Sequence, residues 1–470
     1  MLRWIRKMAR VWCLLMGLVF LAMIGFGCGK QEIPESSKLW VVMEGDAACE
    51  DQVRSVIGQF EQAHEGVKIN LEVLPTDREE AKVRVEQLRT EIMAGRGPDV
   101  YLIPRMIVDE ASLIQNVELS MRNGIFLDIG AYYDADDALD TAALNTAVMD
   151  AGVLDGARYI LPLRYDIPVL YADMDRLREA GFDEALLEES GMAVMQTLTA
   201  SGERGFSFGM NFSAYEYALN FFSGVIDYEH SEVTLTAQEL AEFMRNYQSL
   251  MEAKETNLPY WLDILPQGYI SNGQHWTMDG SCVHISWLSD AVANMAVAKA
   301  MELDLAMHPM KTQDGALVAD VTFFGALGSD CADPALAYEF LRMFLMEEYQ
   351  WENGASQTDM LSVGWPVRTE GCEDAVWRAQ WNNSYDPDTG YTDKTAPGRI
   401  RKLKYMHLEE GDIPVLDFTI DEVRFPIAAE LELGEILYNL NAADGTPAGM
   451  DIDAIAEELV KKLQWNIAEG

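Results

Sequence analysis

The chain of 470 residues carries 77 Asp and Glu against 35 Lys and Arg, a formal net charge of −42. So acidic a protein is excluded from gripping nucleic acid through its phosphates, which takes a basic face. The length fits two large domains better than one, with room for a core that needs no disulfide support.

Arg3, Arg6, Lys7 and Arg10 precede an uncharged run from Val11 to Gly27. A basic flank before an apolar stretch of 17 residues is an export signal. The run sits at the short limit for a membrane span, and its basic flank places everything downstream outside. Gly25-Phe26-Gly27-Cys28-Gly29 resembles the lipobox of bacterial lipoproteins, in which the Cys is diacylated and becomes the mature N-terminus. Gly25 and Phe26 depart from the usual Leu and Ala or Ser, and an uncleaved signal anchor is the alternative. Residues 1–27 are therefore expected to be the signal and 28–38 a polar tether ending in GKQEIPESSK. Removing four basic residues with the signal leaves 31 minus 77, or −46.

From Leu39 the pattern predicts a strand (LWVVM), a helix over Asp51–His64, a strand (VKINLEVL), a helix over Arg78–Ala94 and a strand ending at Ile103. Alternating strands and helices imply a parallel sheet. Gly95 stands where a helix C-cap is wanted, and Gly97-Pro98 breaks the chain before Asp99. Loops leaving such strands gather on one edge, which would collect Met43–Asp46, Thr76–Asp77 and Pro104–Arg105. A second set follows, with strands near 159–162, 169–171, 205–210 and 282–285 and helices over 237–253 and 452–465. Cys49, Cys282, Cys331 and Cys372 are widely spaced without a CxxC, so no zinc or redox motif is visible and disulfide pairing stays open.

Several segments in this order resemble the family 1 bacterial extracellular solute-binding proteins: FEQAHEGVKINLEVLP, LRTEIMAGRGPDVYLIP, YILPLRYDIPVLYADMDRL, GVIDYEHSEVTLTAQELAEFM, DGSCVHISWLSDA, FFGALGSDCADPALAYEFLRMFL and SVGWPVRTEG. The resemblance implies an α/β fold of the type II periplasmic-binding-protein kind, with two lobes joined by crossing strands and a ligand cleft between them. Carried over, lobe 1 is 39–165 and 310–348, and lobe 2 is 166–309 and 349–470. It further implies a carbohydrate, an oligosaccharide above all, as ligand, ABC permease subunits as partners and a lipid-anchored monomer on the extracellular face of the cytoplasmic membrane. No cofactor and no nucleic acid are implied.

Sugars offer apolar faces and a girdle of hydroxyls, so their sites need aromatic platforms beside paired polar groups. By resemblance Trp287, flanked by Ser289 and Asp290, is a stacking residue at the cleft mouth, the alternative being a core tryptophan; Tyr215 is a second candidate. Arg105, Glu44 and Asp77 end the first three strands on one edge, and the bland reading of the carboxylates is a solvated loop. Tyr165 and Asp166 sit at the crossover, where a hinge role competes with ligand contact, and Trp365 either caps the cleft or packs. Asp134, Asp136, Asp137 and Asp140, like Asp386, Asp388 and Asp393, lack the Gly and bidentate Glu of an EF-hand and read as acidic turns. Cys282 and His284 alternate along a strand and share a face rather than a metal. The basic run Arg399, Arg401, Lys402 and Lys404 reads as surface. There is no GxSxG, HExxH or P-loop, so no enzyme is expected. A secreted glycoside hydrolase, which needs only two carboxylates across a cleft, is the runner-up, and a surface adhesion or scaffold protein the third reading.

Overall fold

The computed structural model describes residues 39–45, 47–104, 111–201, 206–208, 218–257, 282–289, 291, 304–350, 364–369, 418–427, 433, 436 and 451–469. Three strands come first: β1 (Leu39–Met43), β2 (Ile69–Val73) and β3 (Val100–Pro104), joined by helices α1 (Ala47–Ala63) and α2 (Arg78–Met93). β1 pairs in parallel with both β2 and β3. Asp77 accepts the Glu80 amide at 3.0 Å and so caps α2, while Gly95 takes φ +67° just past its end, the left-handed turn expected there.

The short helix α3 (Val117–Arg122) follows, then β4 (Ile160–Asp166) and β5 (Pro168–Asp173), with Ile167 alone between them. β4 lies in the first sheet and β5 in a second. That second sheet is completed by β6 (Phe206–Phe208), β7 (Val283–Trp287) and β8 (Leu305–Pro309), interleaved with helices α4 (Gly191–Ala200) and α5 (Ala237–Asn257). β5 runs against β7 and β8, and β7 runs with β6.

The chain then returns to the first sheet as β9 (Val318–Leu327), ten buried residues in the middle of that sheet. β9 is antiparallel to β3 on one side and to β4 on the other, so the sheet expected to be parallel is mixed. The reason is connectivity: β9 enters from the second lobe and must run opposite to strands that point toward it. Its largely apolar run carries no clear period-2 alternation, because both faces are covered, by α6 (Pro334–Arg342) among others.

Two later strands extend this sheet. β10 (Trp365–Pro366) pairs with β4, and β11 (Glu422–Arg424) pairs with β9. Residues 349–470, expected as a block in the second lobe, are thus divided. Tyr349, Trp365, Val367 and Phe425 pack in the first core, whereas Ile427 and helix α7 (Ile452–Glu469) pack in the second. The physical reason is that the outer side of β4 and the lower side of β9 offer unpaired backbone groups that returning segments satisfy. Among the described residues the chain consequently crosses between the cores at Ile167, between β8 and β9, and between Phe425 and Ile427.

Trp287, expected at a cleft mouth, is 3% exposed and belongs to the second core with Ile285, Met310 and Leu170. Trp287→Ala is accordingly expected to lower the stability of the ligand-free protein by about 3 to 5 kcal/mol in urea unfolding. Met93→Ala, at a position 88% exposed, should stay within about 0.5 kcal/mol of the wild type.

Candidate functional site: the cleft between the lobes

β3 and β4 both oppose β9 and therefore run the same way, as do β1 and β2. Met43, Val73, Pro104 and Asp166 therefore end strands at one edge of the first sheet, the edge where β4 leaves for the second lobe. In the second sheet Trp287 lies opposite Pro168 and Pro309 opposite Val169, so β7 and β8 also end at the crossover. Each lobe turns the carboxyl ends of its strands toward the other, which is where open α/β sheets hold ligands.

Glu44 follows β1 on this edge, and its Oε1 accepts the Leu113 amide at 2.7 Å. That bond fixes the start of the segment leading into α3, so Glu44 positions other residues. Gly45 next to it is required by packing, since a Cβ there would meet the Leu74 carbonyl oxygen at 2.4 Å. Asp77 caps α2 on the same edge and is exposed. Tyr165 and Trp365 are buried and directly opposite each other in register. Gly364 holds Trp365 there through φ +109°, with the Tyr165 carbonyl 2.8 Å from where a Cβ would sit.

At the crossover two carboxylates face each other across neighbouring strands, Asp166 and Asp320. Both are buried, and each accepts at least one hydrogen bond from the second lobe. Asp166 accepts the Ile167 amide at 3.0 Å, the Ser289 amide at 3.2 Å and the Ser289 hydroxyl. Asp320 accepts Asn220 Nδ2 at 3.1 Å and Arg424 Nε at 2.7 Å, and Arg424 Nη1 donates to the Leu219 carbonyl at 3.1 Å. Leu219 and Phe221 lie in the second core, so Asp320, Arg424 and Asn220 clamp one lobe to the other.

Below β4, Arg164 is buried and donates to the Gln350 and Tyr349 carbonyls at 3.0 and 3.2 Å. Burial lowers its pKa to about 10. Gln350 Nε2 returns a bond to the Leu163 carbonyl at 3.1 Å and its Oε1 accepts the Arg368 amide at 3.3 Å, which locks β4 beside the segment carrying Trp365.

Beside β11, Asn116 caps α3 by accepting the Leu119 amide at 3.0 Å, and Glu118 follows it. Tyr228 approaches from the second lobe, in the turn after Ile226–Asp227. Burial pushes the Glu118 carboxyl up to about 7, against the opposing pull of Tyr228, Arg424 and Arg122. Burial, with the Glu118 carboxylate next, holds the Tyr228 hydroxyl well above its ordinary range.

Of the sequence candidates, Glu44, Asp77, Tyr165, Asp166, Trp287 and Trp365 thus fall at this edge or crossover, several of them in structural roles. Arg105, Tyr215, Asp290 and Cys28 lie outside the described residues, as do Cys372, the acidic turn at 386–393 and the basic run 399–404. Asp136 pairs with Arg342 at 2.6 Å and accepts the Tyr338 hydroxyl at 3.1 Å, and His284 stacks on Tyr171. Among the described residues no group of three or more His, Cys, Asp or Glu is placed to hold a metal, and Cys49, Cys282 and Cys331 form no disulfide. Asn116, Glu118, Asn220, Tyr228, Asp320 and Arg424 were missed. One signal was available: Asp320 interrupts the apolar run VADVTFFGAL, and a charge inside a buried strand demands a partner.

A family model described as bacterial extracellular solute-binding protein matches residues 50–246. Over those residues, less than half of the chain, the sequence is similar to that family. The type II periplasmic-binding-protein fold extends to solved structures of solute-binding proteins. The sugar-binding protein MalE of Xanthomonas citri superposes with a TM-score of 0.56 at 15% identity, over 92% of this chain and 97% of that one. A family 1 extracellular solute-binding protein of Alicyclobacillus acidocaldarius gives 0.53 at 14%, over 91% and 98%. The cyclic alpha-maltosyl-1,6-maltose binding protein of Arthrobacter globiformis gives 0.52 at 15%, over 91% and 99%. Comparison with the sequences of curated proteins returns no match. The likeness in fold agrees with what the geometry shows: two lobes with strand ends facing one another across the crossovers.

The Glu118 environment gives a pH signature. Its carboxyl titrates at about 7 when folded against an ordinary 4.5, so between those values the unfolded chain sheds a proton that the folded chain keeps. Stability linked to this group is therefore full below the lower value and lost as pH rises to the upper one. Glu118→Gln is expected to flatten that part of the stability curve, read by urea unfolding at intervals across the window; an unchanged slope would show that the carboxyl ionises normally.

Proposed function

We propose that the chain captures a carbohydrate, foremost an oligosaccharide, between lobes that close on it, and delivers it to the permease of an ABC importer. The observation that carries this reading is the facing of two sets of strand ends across short crossovers, because a few backbone rotations at Ile167 and its two companion crossings swing whole lobes. Solved proteins of the same fold include ones named for sugar and for cyclic alpha-maltosyl-1,6-maltose binding, which supports the ligand class. Arg105 directly follows β3 and Asp290 closely follows β7, so chain position keeps both as proposed ligand contacts, with Tyr215 a third. The protein acts without turnover, as a monomer. No helix among the described residues is long and apolar enough to cross a membrane, and the reading assigns retention at the extracellular face of the membrane to a lipid on Cys28.

Ligand binding stabilises the folded chain by mass action, by about 2.7 kcal/mol at a hundredfold excess over Kd. A thermal-shift screen of mono- and oligosaccharides, with amino acids, peptides and polyamines as controls, should raise the melting temperature for saccharides alone, and product analysis should find them intact. A shift confined to a non-sugar class would leave the fold and replace the ligand. Hydrolysed saccharide would favour the glycosidase reading.

For the anchor, Cys28→Ala should move the protein out of the lipid-modified membrane pool, with mass spectrometry of the N-terminal peptide showing the loss of acyl mass. An unmodified wild-type peptide in the membrane fraction would leave the uncleaved signal anchor instead.

A further inference from the structure

Residues 219–224 of the second lobe lie against the first sheet at the end where β11 joins β9. Asp320 and Arg424 are opposite each other in register on those two strands, and Arg424 Nε donates to Asp320 Oδ1 at 2.7 Å. Asn220 closes a ring with them. Its Nδ2 donates to Asp320 Oδ2 at 3.1 Å, and its Oδ1 accepts from Arg424 Nη2. Arg424 Nη1 donates to the Leu219 carbonyl at 3.1 Å, and on the same strand Glu422 Oε2 accepts the Gly224 amide at 2.6 Å.

This set of bonds has two unlike halves. The Asp320–Arg424 pair lies wholly within the first sheet, so a buried carboxylate keeps its cation whatever the second lobe does. What the second lobe supplies is neutral: an amide side chain, a main-chain carbonyl and a main-chain N–H. Parting them leaves no buried charge without its partner, and water can take over each neutral group. The contacts at Ile167 are of another kind. Leu288 N donates to the Ile167 carbonyl and Met310 N to the Pro168 carbonyl, both at 2.9 Å, so main-chain bonds hold the second sheet to the crossing itself and keep Ser289 beside Asp166. A main-chain pivot and a detachable set of bonds that run through side chains are thus present together.

We propose that Leu219, Asn220 and Gly224 are the releasable half of a latch whose fixed half is Arg424 and Glu422. The latch holds the lobes together in the ligand-free chain and lets go when they open. The proposal rests on the lobe-closure reading above and adds the residues that set the balance between the two forms. Hydrogen bonds of this kind are lost beyond about 3.5 Å, so a small rotation about Ile167 is enough to release them. A ligand that needs the lobes together binds with an apparent Kd equal to its intrinsic Kd divided by the fraction of chains already together. The latch raises that fraction and so tightens binding without touching the ligand. In this it differs from Arg105, Tyr215 and Asp290, which are proposed as direct contacts.

The test uses the full-length chain in detergent with spin labels on Glu86→Cys and Lys461→Cys, exposed positions in the first and second lobes, and the chain without these two cysteines labelled as background control. Glu422→Ala removes one acceptor from the latch. Arg424→Lys keeps a cation beside Asp320 but loses the planar fork that reaches Leu219 and Asn220. Pulsed electron paramagnetic resonance on the ligand-free chain should give a short interlobe distance as the main population when the latch is intact. The ratio of long to short distances should rise about twofold or more in Glu422→Ala and about tenfold or more in the double variant. Ratios equal to that of the intact latch overturn the proposal. Circular dichroism establishes that each variant is folded, and if the double variant is not, Glu422→Ala decides alone. If a saccharide found by thermal shift drives every chain to the short distance while the ligand-free ratios are equal, lobe closure stands and the latch falls. If neither saccharide nor substitution changes the distances, both fall.

Discussion

The structure depends on two buried carboxylates placed side by side at the crossover. Asp166 ends β4 and Asp320 lies opposite it near the start of β9, both out of solvent. An unpaired buried charge is strongly destabilising, and two adjacent like charges are worse. Each is rendered tolerable by donors that the other lobe contributes or fixes: Ser289 for Asp166, and Asn220 with Arg424 for Asp320. The charges in the first lobe therefore require the second lobe to be present and near.

The same constraint shapes the cleft above it. β9 must run against its neighbours because it returns from the second lobe, and β11 then fills the part of β9 that β3 does not reach. Arg424 is thereby delivered to the strand-end edge, where it pairs with Asp320 and lies near Glu118 and Tyr228. Behind this edge Arg164 and Gln350 exchange bonds with main-chain carbonyls and tie β4 to the strand of Trp365. The polar groups at the crossover are thus tied to the backbone of both lobes.

Much of the first lobe was legible in the chain because its signals are local. LWVVM, VKINLEVL and DVYLI are short apolar runs bounded by turn residues, and Arg78–Met93 has its Asp77 cap and its Gly95 stop within hydrogen-bonding reach. β9 was not read as a strand, since a strand covered on both faces has no alternation to reveal it. β10 and β11 have two and three residues, too few for any period, and exist only because β4 and β9 present free edges.

The sequence by itself determined that the chain is α/β with strand-end loops on one edge and that it resembles a two-lobed binder, because composition, capping and periodicity act over a few residues. It also put Glu44 after the first strand and Tyr165 and Asp166 at the crossover, where the structure has them. Only the tertiary structure decided which of these residues hold the fold and which face the cleft. Trp287 is packed and Glu44 pins Leu113, while Glu118 and Tyr228, some 110 positions apart, are brought together from opposite lobes. Burial and partnership of a polar group depend on residues far away in sequence, and no local pattern encodes them.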